Sequence, residues 1–230
     1  MQLSQMMQNS TREWLIYQLT DSSFPTGGFA HSAGLEAAWQ IGAISAGQSF
    51  EDYLATQLRQ FSRFVLPFVI AANRSPDRIV EFDSVCGAML SNHVARRASI
   101  AQGQAFALAA SRTFQLEAMP ELSRQIKDRK LEGHFAPLFG ASCAALGLSE
   151  TEAARVVLFT SLRGLISAAV RLGIVGPLEA QAIQWRLSAD AESCVADALK
   201  ISLDDAAQTA PLLDLFQGMQ DRLYSRLFQS

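Results

Sequence analysis

Residues 152–175 read EAARVVLFTSLRGLISAAVRLGIV, and this stretch decides the fold class. Its apolar residues recur at helical spacing, and Ser149 with Glu152 three positions later gives a capping signal just before it. Gly173 and the pair Gly176-Pro177 end this helix and open the next. The same spacing recurs along the chain, and strand-like alternation is almost absent. The sequence therefore predicts an all-α protein, a single compact domain over residues 1–230 with about nine or ten helices.

Local signals divide the rest of the chain. Ser49 and Asp52 predict a cap for a helix that contains Phe50 and Leu54, and Pro67 predicts a kink in its last turn. The pattern over residues 80–114 is too long for one rod in a compact domain, so we expect one break. Residues 1–11 are predicted as a flexible N-terminus. Residues 208–230 are predicted as a C-terminal helix that either binds a partner or docks on the protein's own core.

Composition excludes several classes of function. Apolar residues make up 49% of the chain and charged residues 18%, with a net charge of −3, so nucleic acid is not an expected partner. No signal peptide and no membrane span are predicted. The three cysteines lie far apart in apolar surroundings, which indicates free thiols rather than a disulfide framework. A cytoplasmic location follows as an expectation.

The stretch TDSSFPTGGFAHSAGLE, residues 20–36, could either do chemistry or hold a shape. Ser22 or Ser23 with His31 and Asp21 supplies the residue types of a nucleophilic hydrolase site. The stretch has no GxSxG elbow, and its glycine pair is too short for a phosphate loop. The other hypothesis is a shaped turn, in which Asp21 or Ser22 binds backbone amides and Ser32 caps the next helix. His31 has no second ligand at local spacing and is a weak metal candidate.

Two further sets of polar residues lie on helical faces. Asn92, Arg96, Ser99 and Gly103 share one face, where small residues allow close approach and Arg96 needs a carboxylate or carbonyl partner if it is covered. Arg163, Ser167 and Arg171 form a polar stripe at successive i+4 steps. The stripe is either a solvated face or a polar seam against a partner or the protein's own interior.

Several stretches, taken together, resemble a known family. In order along the chain they are DSSFPTGGFAHSAGLE, SNHVARRASIAQGQAF, GHFAPLFG, RGLISAAVRLGIVGPLEAQ and LYSRLFQS, and they resemble the urease accessory protein UreF across nearly the whole chain. The resemblance implies an all-α protein without catalytic residues that works in nickel delivery to urease. It also implies no stably bound cofactor, because nickel is handled by the complex.

The resemblance implies partners as well. UreF-like proteins form homodimers, bind the accessory protein UreD (also called UreH) and recruit the nickel-carrying GTPase UreG, and the complex docks on apo-urease. They are viewed as GTPase regulators or as scaffolds that couple GTP hydrolysis to urease activation, and a nickel passage through them has been proposed. A GTPase-activating role predicts that Arg163, Arg171 or Arg226 acts as an arginine finger.

The family pattern falls on residues of this sequence in four groups. The first group, expected as a partner-binding loop, comprises Asp21, Ser22, Pro25, Gly27, Phe29, His31, Ser32, Gly34, Leu35 and Glu36. Two polar helix seams comprise Arg96, Ser99, Gln102 and Gly103, and Arg163, Ser167 and Arg171, followed by Gly173. The last group comprises Tyr224, Ser225, Arg226, Leu227 and Phe228. We expect this last group to face the UreD-like partner, and the first loop and the arginine stripe to face the GTPase or the passage.

Overall fold

The computed structural model describes residues 2–114 and 118–230, and its regular secondary structure is helical. Its twelve α-helices are α1 Gln2–Thr20, α2 Leu35–Gln40, α3 Gln48–Gln60, α4 Leu66–Arg74, α5 Ile79–Met89, α6 His93–Phe114, α7 Ala118–Lys127, α8 Phe135–Ala145, α9 Glu150–Arg171, α10 Pro177–Arg186, α11 Ser188–Ala198 and α12 Pro211–Met219. No β-strand occurs within the described ranges, so the all-α prediction is confirmed. Because α3 and α4 are continuous through a π-helical turn at Phe61–Val65, the described residues form eleven separate helices, slightly more than predicted.

Pro67 has a different effect from the predicted kink in a last turn. It lies at the start of α4, directly after the π-helical turn. Proline has no backbone N–H, so it cannot donate to the carbonyl of Arg63 four residues earlier. That carbonyl instead accepts the backbone N–H of Ala207 at 2.9 Å. This hydrogen bond links the continuous α3–α4 helix to the segment before α12.

Of the helix caps predicted at Ser149 and Ser49, one forms. Ser149 and Glu152 make a reciprocal capping box at the start of α9, with Ser149 N donating to Glu152 Oε2 at 2.8 Å. The Ser49 cap was wrong. Helix α3 begins at Gln48, and its N-cap position is Gly47, two residues before Ser49, with a left-handed φ of 76°. The Ser49 hydroxyl instead accepts the backbone N–H of Ser45.

The predicted break in the 80–114 stretch is confirmed. Helix α5 ends at Met89 and α6 begins at His93. Asn92 Oδ1 accepts the backbone N–H groups of Val94 at 2.9 Å and Ala95 at 3.3 Å. The Asn92 side chain therefore caps α6.

The core is organised around α4, α8 and α9. Helices α4 and α8 approach so closely that a Cβ atom on Gly140 would lie 2.2 Å from the carbonyl oxygen of Val69. Helix α9 is the one described helix that is long and apolar enough to cross a membrane, but 56% of its apolar window is buried inside the fold. It therefore occupies the position of a core helix.

The C-terminal end of the chain differs in detail from expectation. The predicted helix over residues 208–230 is helical only from Pro211 to Met219, followed by a short 3₁₀ turn at Gln220–Arg222. Residues 223–230, called here the 223–230 segment, are not helical. At the other end the chain is helical from Gln2 to Thr20. Flexibility of residues 1–11 stays a prediction, and residue 1 lies outside the described residues.

The three cysteines are free, as predicted. Cys86 and Cys143 are buried, and burial raises the pKa of both thiols. Neither is poised as a nucleophile, because the thiolate is the reactive form.

Candidate functional site

The loop between α1 and α2, residues 21–34, is a shaped turn held by Asp21. Its Oδ1 accepts the backbone N–H of Ser23 at 2.7 Å and the hydroxyl of the same residue. These two bonds, the hydroxyl bond first, lower the pKa of Asp21. Gly27 adopts a left-handed φ of 73°, which favours glycine. Asp21 is thus committed to the backbone geometry of the 21–34 loop.

The residues of the hydrolase hypothesis are not brought together. His31 Nδ1 pairs with the Ser230 hydroxyl at 2.6 Å, while the Ser23 hydroxyl is bound to Asp21. No hydrogen bond joins His31 to Ser22 or Ser23 in this described loop. Burial, and secondarily the charge of Arg97, lower the pKa of His31. The described 21–34 loop therefore contains no serine activated by a histidine and an acid.

A metal site at His31 lacks companion ligands. Within the part of the chain that the structure describes, no three His, Cys, Asp or Glu side chains are grouped so that they could hold a metal ion. A single imidazole is a weak ligand for a transition metal. The described residues therefore give His31 no companion ligands with which to hold a metal ion.

The first polar seam joins α6 to the chain that precedes α8. Arg96 contacts both carboxylate oxygens of Glu132, at 2.5 and 2.6 Å, and donates to the carbonyl of Gly87 at 2.9 Å. The Ser99 hydroxyl lies 3.2 Å from both Phe135 N and His134 Nδ1. A Cβ atom on Gly103 would lie 2.1 Å from the Gly133 carbonyl oxygen. The expectation of close approach and of a partner for Arg96 is met.

Asp83 completes this seam, and sequence reasoning missed it. Its side chain is 2% exposed in α5. It accepts the backbone N–H groups of Glu132 at 2.6 Å, Gly133 at 3.2 Å and His134 at 2.7 Å. No local pattern links Asp83 to a loop about fifty residues away, so no sequence signal could have found this role.

The arginine stripe of α9 points to the 21–34 loop and its neighbours. Arg163 donates to the carbonyl of Thr20, and burial lowers the pKa of its guanidinium. Arg171 donates to the carbonyl of Phe29 at 2.8 Å, with its guanidinium 3.9 Å from the Phe29 ring and 4.2 Å from the Phe228 ring. Ser167 is exposed between them. The two arginines therefore form a polar seam, and Ser167 lies on a solvated face.

The 223–230 segment packs against the same loop. Phe228 is buried, whereas Tyr224 is fully exposed and Leu227 is 57% exposed. The backbone carbonyl of Ser225 accepts a hydrogen bond from Gln40 Nε2 at 2.9 Å, and Arg226 pairs with Asp221 at 3.1 Å.

The start of α2 lies beneath this segment. Glu36 and Ser32 are buried there, and Leu35 belongs to the core. A Cβ atom on Gly34 would lie 2.8 Å from Gln217 N, so α2 also lies close to α12.

Asp221 is a second side chain that the sequence did not single out. It lies within 2.9 Å of Arg97, 3.1 Å of Arg226 and 3.2 Å of His93. Its bond to Arg97 is the largest cause that lowers its pKa. Asp221 thereby joins the start of α6 to the 223–230 segment.

A cavity of about 700 Å³ lies beneath the 21–34 loop. Helices α3, α5, α6, α8, α9, α10 and α12 and the π-helical turn contribute to its other walls. Its lining includes, among the predicted site residues, Asp21, Ser22, Pro25, Gly27, Phe29, His31, Ser99, Gln102, Arg163, Ser167 and Arg171. The structure therefore gathers the 21–34 loop and both helix seams around one cavity, with the 223–230 segment alongside.

Comparison with known proteins gives consistent results. A sequence model of the UreF family matches residues 44–188. The chain is 39% identical over 229 residues to urease accessory protein F of Arabidopsis thaliana, covering 96% of this chain and 94% of the relative. It is 38% identical over 219 residues to urease accessory protein F of Oryza sativa subsp. indica, covering 94% and 84%. A urease accessory protein UreF of Bacillus sp. is 26% identical over 94% of this chain and 97% of its own length.

Proposed function

The chain belongs to the UreF family of urease accessory proteins, and from this premise we propose that it acts in urease maturation as a non-enzymatic scaffold and GTPase regulator. In this proposal it bridges a UreD/UreH-like protein and the GTPase UreG in the cytoplasm, as a homodimer. The complex delivers nickel to apo-urease, and this chain holds no stable cofactor of its own.

The observation that carries the proposal is one continuous surface made by the 21–34 loop and the 223–230 segment. Phe29 is 70% exposed on the loop, and Tyr224 and Leu227 are exposed on the segment. Tyrosine and arginine side chains are enriched among protein-binding hot spots. The adjoining cavity, lined by His31 and the α9 arginines, is the candidate for a nickel passage.

Light scattering after size-exclusion chromatography tests the scaffold. The chain is mixed with a UreD/UreH-like protein and with nickel-loaded, GTP-bound UreG, and GTP hydrolysis is followed in parallel. We expect a stable assembly that contains two copies of this chain. Tyr224→Ala should weaken the assembly by about tenfold, which corresponds to about 1.4 kcal/mol. Tyr17→Ala, at an exposed tyrosine on α1, is the matched control and should leave it unchanged. Absence of any assembly would contradict the proposal.

The same experiment separates scaffolding from an arginine-finger activity. In the isolated chain Arg163 is bound to Thr20 O, Arg171 is bound to Phe29, and Arg226 is paired with Asp221. A finger would have to leave these partners to reach the GTPase site. Faster hydrolysis on mixing that is lost when one of the three is changed would favour activation. An assembly in which the rate of GTP hydrolysis changes little, or even falls, would favour the scaffold.

A further inference from the structure

Glu36 is a buried carboxylate that receives hydrogen bonds from the 223–230 segment. Its side chain lies in α2, and the residue is 1% exposed. Oε1 accepts the backbone N–H of Leu227 at 2.7 Å, and Oε2 accepts that of Phe228 at 3.1 Å. Gln220 Nε2 donates to Oε2 at 2.6 Å, and Gln40 Nε2 donates to Oε1 at 3.3 Å. Two of its four donors thus belong to the backbone of the segment.

These bonds compensate for the burial of the carboxylate. Burying an ionised carboxylate is costly unless it is paired or hydrogen-bonded. No Lys, Arg or His forms an ion pair with Glu36 among the described residues, so hydrogen bonds alone satisfy it. If the segment left, Glu36 would keep only the two glutamine amides. Bonds from N–H donors to a carboxylate are roughly twice as strong as neutral ones.

Further contacts attach the segment to the 21–34 loop and to Gln220. Gln229 N donates to Ala30 O at 2.7 Å, and Ser32 N donates to Ser230 O at 2.5 Å. Gln220 Nε2 also donates to Phe228 O at 3.1 Å, so one side chain bridges Glu36 and the segment. Arg171 lies between the rings of Phe29 on the loop and Phe228 on the segment. The loop and the segment are therefore ordered together above Glu36.

We propose that Glu36 is the positioning residue that holds the 223–230 segment against the 21–34 loop, so that Phe29, Tyr224 and Leu227 are presented as one surface. The carboxylate acts through the backbone of Leu227 and Phe228 and touches no partner itself. Without it the segment opens while the rest of the fold remains intact. The consequence for partner binding rests on the proposed function, whereas the opening of the segment does not.

Hydrogen exchange of the full chain tests the opening of the segment. Glu36→Gln keeps the size of the side chain, but its amide group would face the donors that the carboxylate now accepts. We expect exchange at the amides of residues 227–229 to rise by about tenfold or more, with α4 unchanged as the internal reference. Asp83→Asn is the matched control, because Asp83 is also a buried carboxylate that accepts backbone N–H groups. It should raise exchange at residues 132–134 and not at 227–229.

Equal protection of residues 227–229 in the wild type and Glu36→Gln would overturn the proposal, as would an equal rise in Asp83→Asn. If Glu36→Gln fails to fold, Gln40→Ala decides, because Gln40 lies at the edge of the site and bonds both Glu36 and Ser225 O. It should give a smaller rise confined to residues 225–228. No rise there would also overturn the proposal.

A binding measurement separates this inference from the proposed function. Affinity for the UreD/UreH-like protein should fall by about tenfold in Glu36→Gln. If the segment is released and the affinity is unchanged, the role of Glu36 stands, and the segment is not the partner-binding element that the proposed function assumes.

Discussion

His134 is an imidazole enclosed by charges from three parts of the chain. Its side chain is fully buried, with Asp83 on α5, Arg96 on α6 and Glu132 on its own loop close by. Ser99 lies against Nδ1, while Nε2 has no hydrogen-bond partner and lies 3.4 Å from Glu132 Oε2. Such a group makes stability sensitive to proton uptake, because the folded state offers the charged imidazole little solvation.

This arrangement predicts a loss of stability in mild acid. Burial lowers the pKa of His134 below its usual value near 6.5, with Asp83 and Glu132 acting in the opposite direction. As the pH falls, the unfolded chain therefore takes up the proton first. The contribution of His134 to the free energy of unfolding is fully present above about pH 6.5 and is lost as the pH drops below it. His31 acts in the same direction. Each histidine can contribute at most about 1.4 kcal/mol per pH unit.

Urea unfolding between pH 7.5 and 5.5 checks this prediction. His134→Gln should reduce the dependence of the unfolding free energy on pH. His93→Gln, at an exposed position, controls for the loss of an imidazole. An identical pH dependence in the wild type and His134→Gln would contradict the assignment.

At the scale of the helices, one close approach sets the distance between α4 and α8. Gly140→Ala would place a Cβ atom 2.2 Å from Val69 O, and backbone cannot yield as a flexible side chain can. We expect a loss of about 1–3 kcal/mol in the free energy of unfolding, the usual cost of overpacking. Gly164→Ala in α9 is the control, since nothing lies within 4 Å of its Cβ position. It should gain about 0.5–1 kcal/mol from helix propensity. Denaturant titration measures both, and an equal effect of the two changes would contradict the close approach.

The two capping signals offer a second test at the same scale. Ser149 accepts Glu152 N at the start of α9, whereas Ser49 lies inside α3 and caps nothing. Ser149→Ala should cost about 1 kcal/mol, the typical value of an N-cap. Ser49→Ala should cost less, because it removes only the bond to Ser45 N. Thermal and urea unfolding compare them, and a larger loss in Ser49→Ala would be the contrary result.

At the scale of the whole molecule, several large apolar side chains remain uncovered. Leu178 is 87% exposed and Trp185 is 79% exposed, and Trp185 lines a groove of about 420 Å³ between α9, α10 and α11. Exposed apolar area of this kind, together with a low content of charge, favours association. We therefore expect the isolated chain to self-associate through this face.

Light scattering at increasing concentration measures that association. Trp185→Gln combined with Leu178→Gln should shift the chain toward the monomer, whereas Trp14→Gln, on the exposed face of α1, should not. A chain that stays monomeric and fully soluble at high concentration would contradict the prediction.

What the sequence by itself determined is mostly local. Helical spacing established the all-α class, one break in residues 80–114 followed from the excessive length of the pattern, and Ser149 with Glu152 marked the start of α9. These features depend on groups within a few residues of one another, which sequence periodicity and capping rules describe. The resemblance to the UreF family was also present in the sequence and is confirmed.

Tertiary structure alone decided where the polar groups find their partners. The Ser49 signal failed because Gly47 turns the chain earlier, and the last helix ends at Met219 where the 223–230 segment turns to lie on the 21–34 loop. Asp83 and Glu36 accept backbone donors that are distant in sequence, and Arg171 is enclosed by two such segments. Buried polar groups must be satisfied by whichever donors the packing brings near, and that choice is made only when the helices assemble.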